Sequence, residues 1–216
     1  MLKQASDGLS KVWKVHRTND PFYSGGKVEV SVDESKIICM FEENVSIIDV
    51  AKDDEVKKLF VEDDSSEPIA CFAYHPNKEE IVVATQKSSL IHMSTSGEIY
   101  RTVKAHQMPI LCMQYDPTGT LVVTGSADRT VRVWDIAGGF CTHSFKEHTD
   151  IVRTVTFHPD PQRLQVISTS EDNTIRIYDL RESKCVAVFR SHVSLPTAVT
   201  FSPDGYIMAS CGRDKV

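Results

Sequence analysis

His106, Thr124, Asp128 and Trp134, in the middle of this 216-residue chain, include the side-chain types of an acyl-transfer site. A hydroxyl, an imidazole and a carboxylate become nucleophile, base and orienting group when they stand within hydrogen-bond reach of one another. The indole adds a single N–H donor. The same types return as His148, Ser168, Asp172 and Tyr178, and again as His192, Ser210 and Asp214. Three copies of one active site on consecutive segments make little chemical sense, whereas three copies of one brace suit a repeat protein. The set therefore reads as a structural brace, with no catalytic residue in the chain.

What must position these residues is a run of short strands. From Ala105 to Asp135 a His-led loop opens onto an alternating apolar run that ends at Asp116-Pro117. A second run, Leu121 to Gly125, leads through a tight polar turn at Ala127 to Thr130 into a third, Val131 to Trp134, which closes on Asp135. Three such runs make an antiparallel meander. Glu147 to Asp179 repeats the pattern, and His192 starts it again. Pro76, Pro117, Pro159 and Pro203 are separated by 41, 42 and 44 residues. A period of about 40 residues ending in Trp-Asp is the signature of a four-stranded propeller blade. Paired-helix repeats of similar period need apolar spacing of three and four, but here the spacing is two, as in Val155 and Phe157 or Val199 and Phe201.

These residues resemble WD40 repeats, and the resemblance implies an all-β fold, a WD40 β-propeller. It also implies wiring for the brace. The loop His bonds to the Asp of the tight turn and to the Ser or Thr of the second strand, and the Trp indole joins from the third. That network would satisfy polar groups otherwise buried without partners. The remaining histidines have blander readings. His75 and His158 are strand-end residues before Pro, and His16, His92 and His143 lack ligand spacing.

Taken in order, residues 1–10 read as a disordered N-terminus and 11–21 as an N-terminal strand around Trp13. Residues 22–61 form a first, degenerate blade, in which Val28, Val30 and Val32 alternate along the first strand and Ile48-Asp49 stands where Trp-Asp is expected. Residues 68–103 form a second degenerate blade. Residues 106–145 and 148–189 are the two strong WD repeats, and 192–216 begin a fifth blade that stops inside a turn. The expectation is a partial propeller of about four and a half blades out of seven, part of a longer protein, because an open array leaves strand edges unpaired.

Composition narrows the function. The net charge is −6, and the densest charge runs, Asp53-Asp54-Glu55 and Glu62-Asp63-Asp64, are acidic. A domain that grips phosphate needs a basic excess on one surface, so direct nucleic-acid binding is disfavoured. The six cysteines include no C-x-x-C pair and no zinc spacing. They read as small apolar strand residues of a reduced, intracellular protein. No glycine-rich phosphate loop, signal segment or membrane-length apolar run is present. The sequence thus points to no cofactor, no metal, no membrane and no small-molecule substrate.

A closer resemblance rests on Val12–Gly26 (VWKVHRTNDPFYSGG), on GGFCTHSFKEH and TFHPDPQRL in the strong blades, and on the ending CGRDKV. These segments are similar to the N-terminal region of the Utp thirteen family. The likeness implies a chain that continues into tandem propellers and a C-terminal helical domain. It also implies a non-enzymatic scaffold of the UTP-B subcomplex, in the small-subunit processome of the nucleolus. That particle assembles with U3 small nucleolar RNA on pre-ribosomal RNA and matures 18S rRNA. The partners implied are other UTP-B and processome proteins, with RNA met indirectly. The alternative class is a substrate receptor of a cullin ubiquitin ligase, or a generic protein-interaction adaptor, because Tyr178-Asp179-Leu180-Arg181 is close to the Trp-Asp-x-Arg strand end of such receptors.

Overall fold

The computed structural model describes residues 23–50 and 68–214, with the backbone of 55–59. The N-terminus over 1–10 and the strand expected over 11–21 lie outside the described residues, as do 22, 60–61 and 215–216 at blade ends. Eighteen strands occur among the described residues, and no helix does.

The first sheet holds β1 (Val28–Val30), β2 (Lys36–Phe41), β3 (Asn44–Asp49) and β4 (Glu55–Leu59) in that order. The second holds β5 (Ile69–Tyr74), β6 (Glu80–Thr85), β7 (Ser89–Ser94) and β8 (Ile99–Lys104). The third holds β9 (Ile110–Tyr115), β10 (Leu121–Ser126), β11 (Val131–Asp135) and β12 (Phe140–Phe145). The fourth holds β13 (Val152–Phe157), β14 (Gln165–Ser170), β15 (Ile175–Asp179) and β16 (Lys184–Phe189). β17 (Pro196–Phe201) and β18 (Met208–Gly212) pair as a fifth, two-stranded sheet. All pairings are antiparallel meanders. The first strands of the second to fifth sheets, β5, β9, β13 and β17, lie side by side. The sheets therefore stand like blades of a partial propeller, face against face.

That stacking explains the sequence pattern. A strand with a neighbouring sheet on both faces cannot alternate apolar and polar residues, because both sides are dry. In β10, Val122 enters the core shared with the second sheet, beside Leu90 and Met113, while Val123 enters the core shared with the fourth, beside Val155 and Val166. The second strands β6, β10 and β14 are accordingly buried along nearly their whole length. The outer strand β12 alternates instead, with Phe140, Thr142 and Ser144 exposed.

β1 departs from the simple pattern. It stops at Val30, and Val28, Val30 and Val32 are 48%, 57% and 71% exposed. Its covered side is polar. Lys27 Nζ donates to the carbonyls of Phe72 at 3.0 Å and Met113 at 2.7 Å, and it pairs with Glu29 at 2.5 Å. Glu29 accepts the backbone N–H of Tyr74 at 2.7 Å. The valine alternation marks a strand, but hydrogen bonds from Lys27 and to Glu29 are what tie that strand to the second and third sheets.

Candidate functional site

The strand meander brings the residues of each set together from four places in the chain. In the third sheet, Nδ1 of His106 lies 2.9 Å from Asp128 Oδ2, and Nε2 lies 2.8 Å from Thr124 Oγ1. Trp134 donates its indole N–H to the same hydroxyl at 3.0 Å. A carboxylate only accepts, so Nδ1 carries the imidazole proton and Nε2 takes the Thr124 hydroxyl proton. The result is a single chain of donors running from Trp134 through Thr124 and His106 to Asp128.

The tight turn is closed by Thr130, whose Oγ1 stands 2.6 Å from Asp128 Oδ1 and 3.2 Å from His106 Nδ1. Asp128 also accepts the backbone N–H of Gln107 at 3.3 Å and of Thr130 at 3.0 Å. The spacing Asp-x-Thr recurs as Asp172-x-Thr174, so this fifth member was visible in the sequence as a repeated Asx turn.

The fourth sheet repeats the geometry, with His148 at 2.8 Å from Asp172 and 2.6 Å from Ser168. It differs at the aromatic. Tyr178 is fully buried, stacks on Phe145 at 4.3 Å and meets His148 edge-on at 6.5 Å, as Trp134 meets His106. Its hydroxyl is turned to Ser168 without the well-formed hydrogen bond that the Trp134 indole makes to Thr124. In the fifth sheet, His192 lies 2.9 Å from both Asp214 Oδ2 and Ser210 Oγ.

Electrostatics match this wiring. Burial works against the Asp128 carboxylate, but the hydrogen bonds from His106 and Thr130 outweigh it and hold the carboxyl well below its usual range. Burial likewise opposes ionisation of Asp172, and the bonds from Thr174, His148 and the Thr149 backbone bring it down to about 2. Burial pushes the pKa of His148 down, against the pull of Asp172. Both trends favour an ionised carboxylate facing a neutral imidazole.

Hydroxyl, imidazole and carboxylate thus have the connectivity of a nucleophile system, but Thr124 and Ser168 have no exposed surface. A substrate carbonyl cannot approach either oxygen within attack distance.

The degenerate sheets lack the set for identifiable reasons. At the turn of the second sheet, Lys87 stands where Asp128 does in the third, and Ser88, with φ of 68°, matches Arg129 at the same value. The third-strand aromatic is replaced by Met93, paired with Ile81 as Trp134 is with Val122, and in the first sheet by Ile48. Cys39 and Cys71 are buried, and burial pushes the Cys71 thiol up to about 12. Cys211 is exposed, unlike the apolar role expected of it.

Radial antiparallel sheets carrying a repeated His–Ser/Thr–Asp network define a WD40 β-propeller protein. The family pattern described as WD domain, G-beta repeat, matches residues 97–135, 139–179 and 183–216, more than half of the chain, and the chain belongs to this family. Each matched interval begins at the outer strand of one sheet and ends in the next, so sequence repeat and sheet are offset by one strand. Such repeats build platforms for protein interaction.

The chain is similar to transducin beta-like protein 3 of Rattus norvegicus, 38% identical over 151 residues, which is 69% of this chain and 19% of the relative. To the Homo sapiens protein of the same name it is 37% identical over 149 residues, covering 68% of the chain and 18% of the relative. The chain thus spans about a fifth of the length of these relatives. Eukaryotic translation initiation factor 3 subunit I of Pyricularia oryzae is 38% identical over a shorter stretch, 78 residues, or 36% of the chain and 23% of the relative. The likeness to transducin beta-like protein 3 is longer than the interval from residue 97 to 216 and therefore takes in the degenerate second sheet.

Proposed function

We propose that this chain is a non-enzymatic WD40 scaffold in ribosome biogenesis. It would act in the nucleolus, within the small-subunit processome, alongside UTP-B proteins and the U3 particle during 18S rRNA processing. The observation that carries the reading is the reach of the transducin beta-like similarity into a second sheet that has lost the WD signature. Generic repeat likeness rests on His, Asp and Trp-Asp, and those positions are gone there. The sealed hydroxyls of Thr124 and Ser168 support a platform over an enzyme.

The ligase-receptor reading depends on Arg181 being offered to a partner. Its guanidinium instead donates to the carbonyl of Gln162, and its backbone N–H donates to Asp179 at 2.8 Å. Arg181 nonetheless stays exposed, so the partners that co-purify decide between the two readings.

The test is affinity purification of the tagged protein from cells, followed by mass spectrometry and RNA blotting. Co-purifying U3 RNA and processome proteins are the expected result. Recovery of a cullin adaptor without U3 would overturn the reading.

A further inference from the structure

The position that follows each inner strand, immediately before Pro, is His75, Asp116, His158 and Ser202 in the second to fifth sheets. In every sheet this side chain caps the turn beyond it. Nδ1 of His75 accepts the backbone N–H of Asn77 and of Lys78, both at 3.0 Å. Asp116 accepts those of Thr118 at 3.1 Å and Leu121 at 2.7 Å. Nδ1 of His158 accepts that of Asp160 at 3.0 Å, and Ser202 Oγ that of Ile207 at 3.0 Å. Imidazole differs from carboxylate and hydroxyl in having a second nitrogen on the far side of a rigid ring.

That nitrogen crosses to the next sheet. Nε2 of His158 meets the carbonyl of Gly205 at 3.0 Å, and the far edge of the His75 ring, with Nε2, lies against the backbone of Gly119. Each ring also lies against the aromatic residue that ends the neighbouring inner strand. His75 is 5.1 Å from Tyr115 and His158 is 4.8 Å from Phe201, tilted by 59° and 60°. Both glycines have positive φ, +79° and +72°. A Cβ on Gly119 would lie 2.5 Å from His75 Nε2, and one on Gly205 would lie 2.8 Å from His158 Cε1. The junction between the third and fourth sheets has neither half, since Asp116 takes the His position and Pro161 the Gly position.

We propose that His75 and His158 are pH-sensitive latches that join the second sheet to the third and the fourth to the fifth only while the rings are neutral. To accept a backbone N–H, Nδ1 must be bare; to reach a glycine carbonyl, Nε2 must carry the proton. One tautomer serves both ends. A second proton on Nδ1 sets N–H against N–H, and the ring must leave its cap.

The charges around His75 are mixed. Glu80 of its own sheet favours protonation, while Lys78 and His92 oppose it. Across the junction Tyr115 is held neutral by burial, with Asp116 beside it. His158 faces Asp160 of its own turn and lies against the turn that holds Asp204. Burial is the largest influence on His75 and lowers its pKa, so its latch is closed at neutral pH.

The test is hydrogen–deuterium exchange of the full chain at about pH 7 and about pH 5, corrected for intrinsic rates. Amides over 116–121 and 202–207, with the capped amides of Asn77, Lys78 and Asp160, are expected to exchange roughly tenfold faster in acid, and the paired amides over 122–126 and 166–170 to change little. His75→Asp keeps the cap on Asn77 and Lys78, as Asp116 does in its own turn, and leaves 116–121 unlatched at both pH values. Should that variant fail to fold, ring-nitrogen shifts of the parent identify the tautomer. A uniform acid response, a His75→Asp variant that keeps the pH dependence, or Nδ1–H rings at neutral pH would each overturn the proposal.

Discussion

Trp134 and Thr124 are joined by one hydrogen bond, indole N–H to hydroxyl at 3.0 Å, and the equivalent pair in the next sheet, Tyr178 and Ser168, has no bond so well formed. Opposite mutational responses follow. Trp134→Phe leaves Thr124 short of a donor and is expected to cost about 1–2 kcal/mol. Tyr178→Phe removes a buried hydroxyl that makes no well-formed hydrogen bond, and should be neutral or stabilise by up to about 1 kcal/mol. Denaturant melts of the two variants check this. A substantial loss for Tyr178→Phe would mean that the hydroxyl is satisfied in solution.

His106 is the centre of its network, bonded to Thr124, Asp128 and Thr130. His106→Ala strands a buried hydroxyl and a carboxylate together, for an expected loss of about 1–3 kcal/mol. If the variant melts with the parent, the network is not a brace.

The meander, the repeat and the His–Ser/Thr–Asp contacts were legible because their spacing recurs inside a single repeat. Asp128 and Trp134 sit at positions set by turn and strand geometry alone. What was hidden depends on neighbouring sheets. Nothing local marks Val28 and Val30 as exposed while Lys27 and Glu29 hold β1. His75 and His158 read as plain residues before Pro because their second partners, Gly119 and Gly205, lie over 40 residues away.

Gly125 illustrates the same dependence. Its Cβ would meet Cys112 Sγ at 2.6 Å and Val152 Cγ1 at 2.7 Å, where β13 crosses close to β10. Gly125→Ala should therefore cost about 1–3 kcal/mol through overpacking. Cys112→Ala in the same chain is expected to recover part of that loss, read as a coupling in a double-mutant cycle. Strict additivity would place the strain elsewhere.

Acid should destabilise the fold in two stages. His148 has a folded pKa below 6.5, so the unfolded chain binds its proton first, and the stability it contributes is lost as pH falls below that value. Asp172 falls from 3.8 to about 2 in the fold, so its contribution is present above 3.8 and lost between those values. The lowered His75 has the same sign as His148. Melting temperature against pH should be flat above neutrality, decline below about 6.5 and decline again below about 4. A stability that rises on acidification through pH 6 would contradict the neutral-imidazole assignment.

The last prediction concerns RNA. A protein in an RNA-rich particle need not grip RNA itself, and here several of the cations are engaged internally. Lys27 holds two carbonyls and Glu29, Lys36 pairs with Glu79, Arg153 pairs with Glu171, and Lys184 pairs with Glu182 at 2.7 Å. Arg132 donates to the Ala105 carbonyl at 2.8 Å and Arg101 to that of Gly138 at 3.1 Å. With a net charge of −6, few phosphate contacts are available to release counterions. Binding to U3 or pre-ribosomal leader RNA should be weak and should vanish at physiological salt, with a shallow salt slope. Filter-binding titrations across salt concentrations check this. Sequence-preferring binding tighter than about micromolar at physiological salt would replace protein-mediated recruitment with direct recognition.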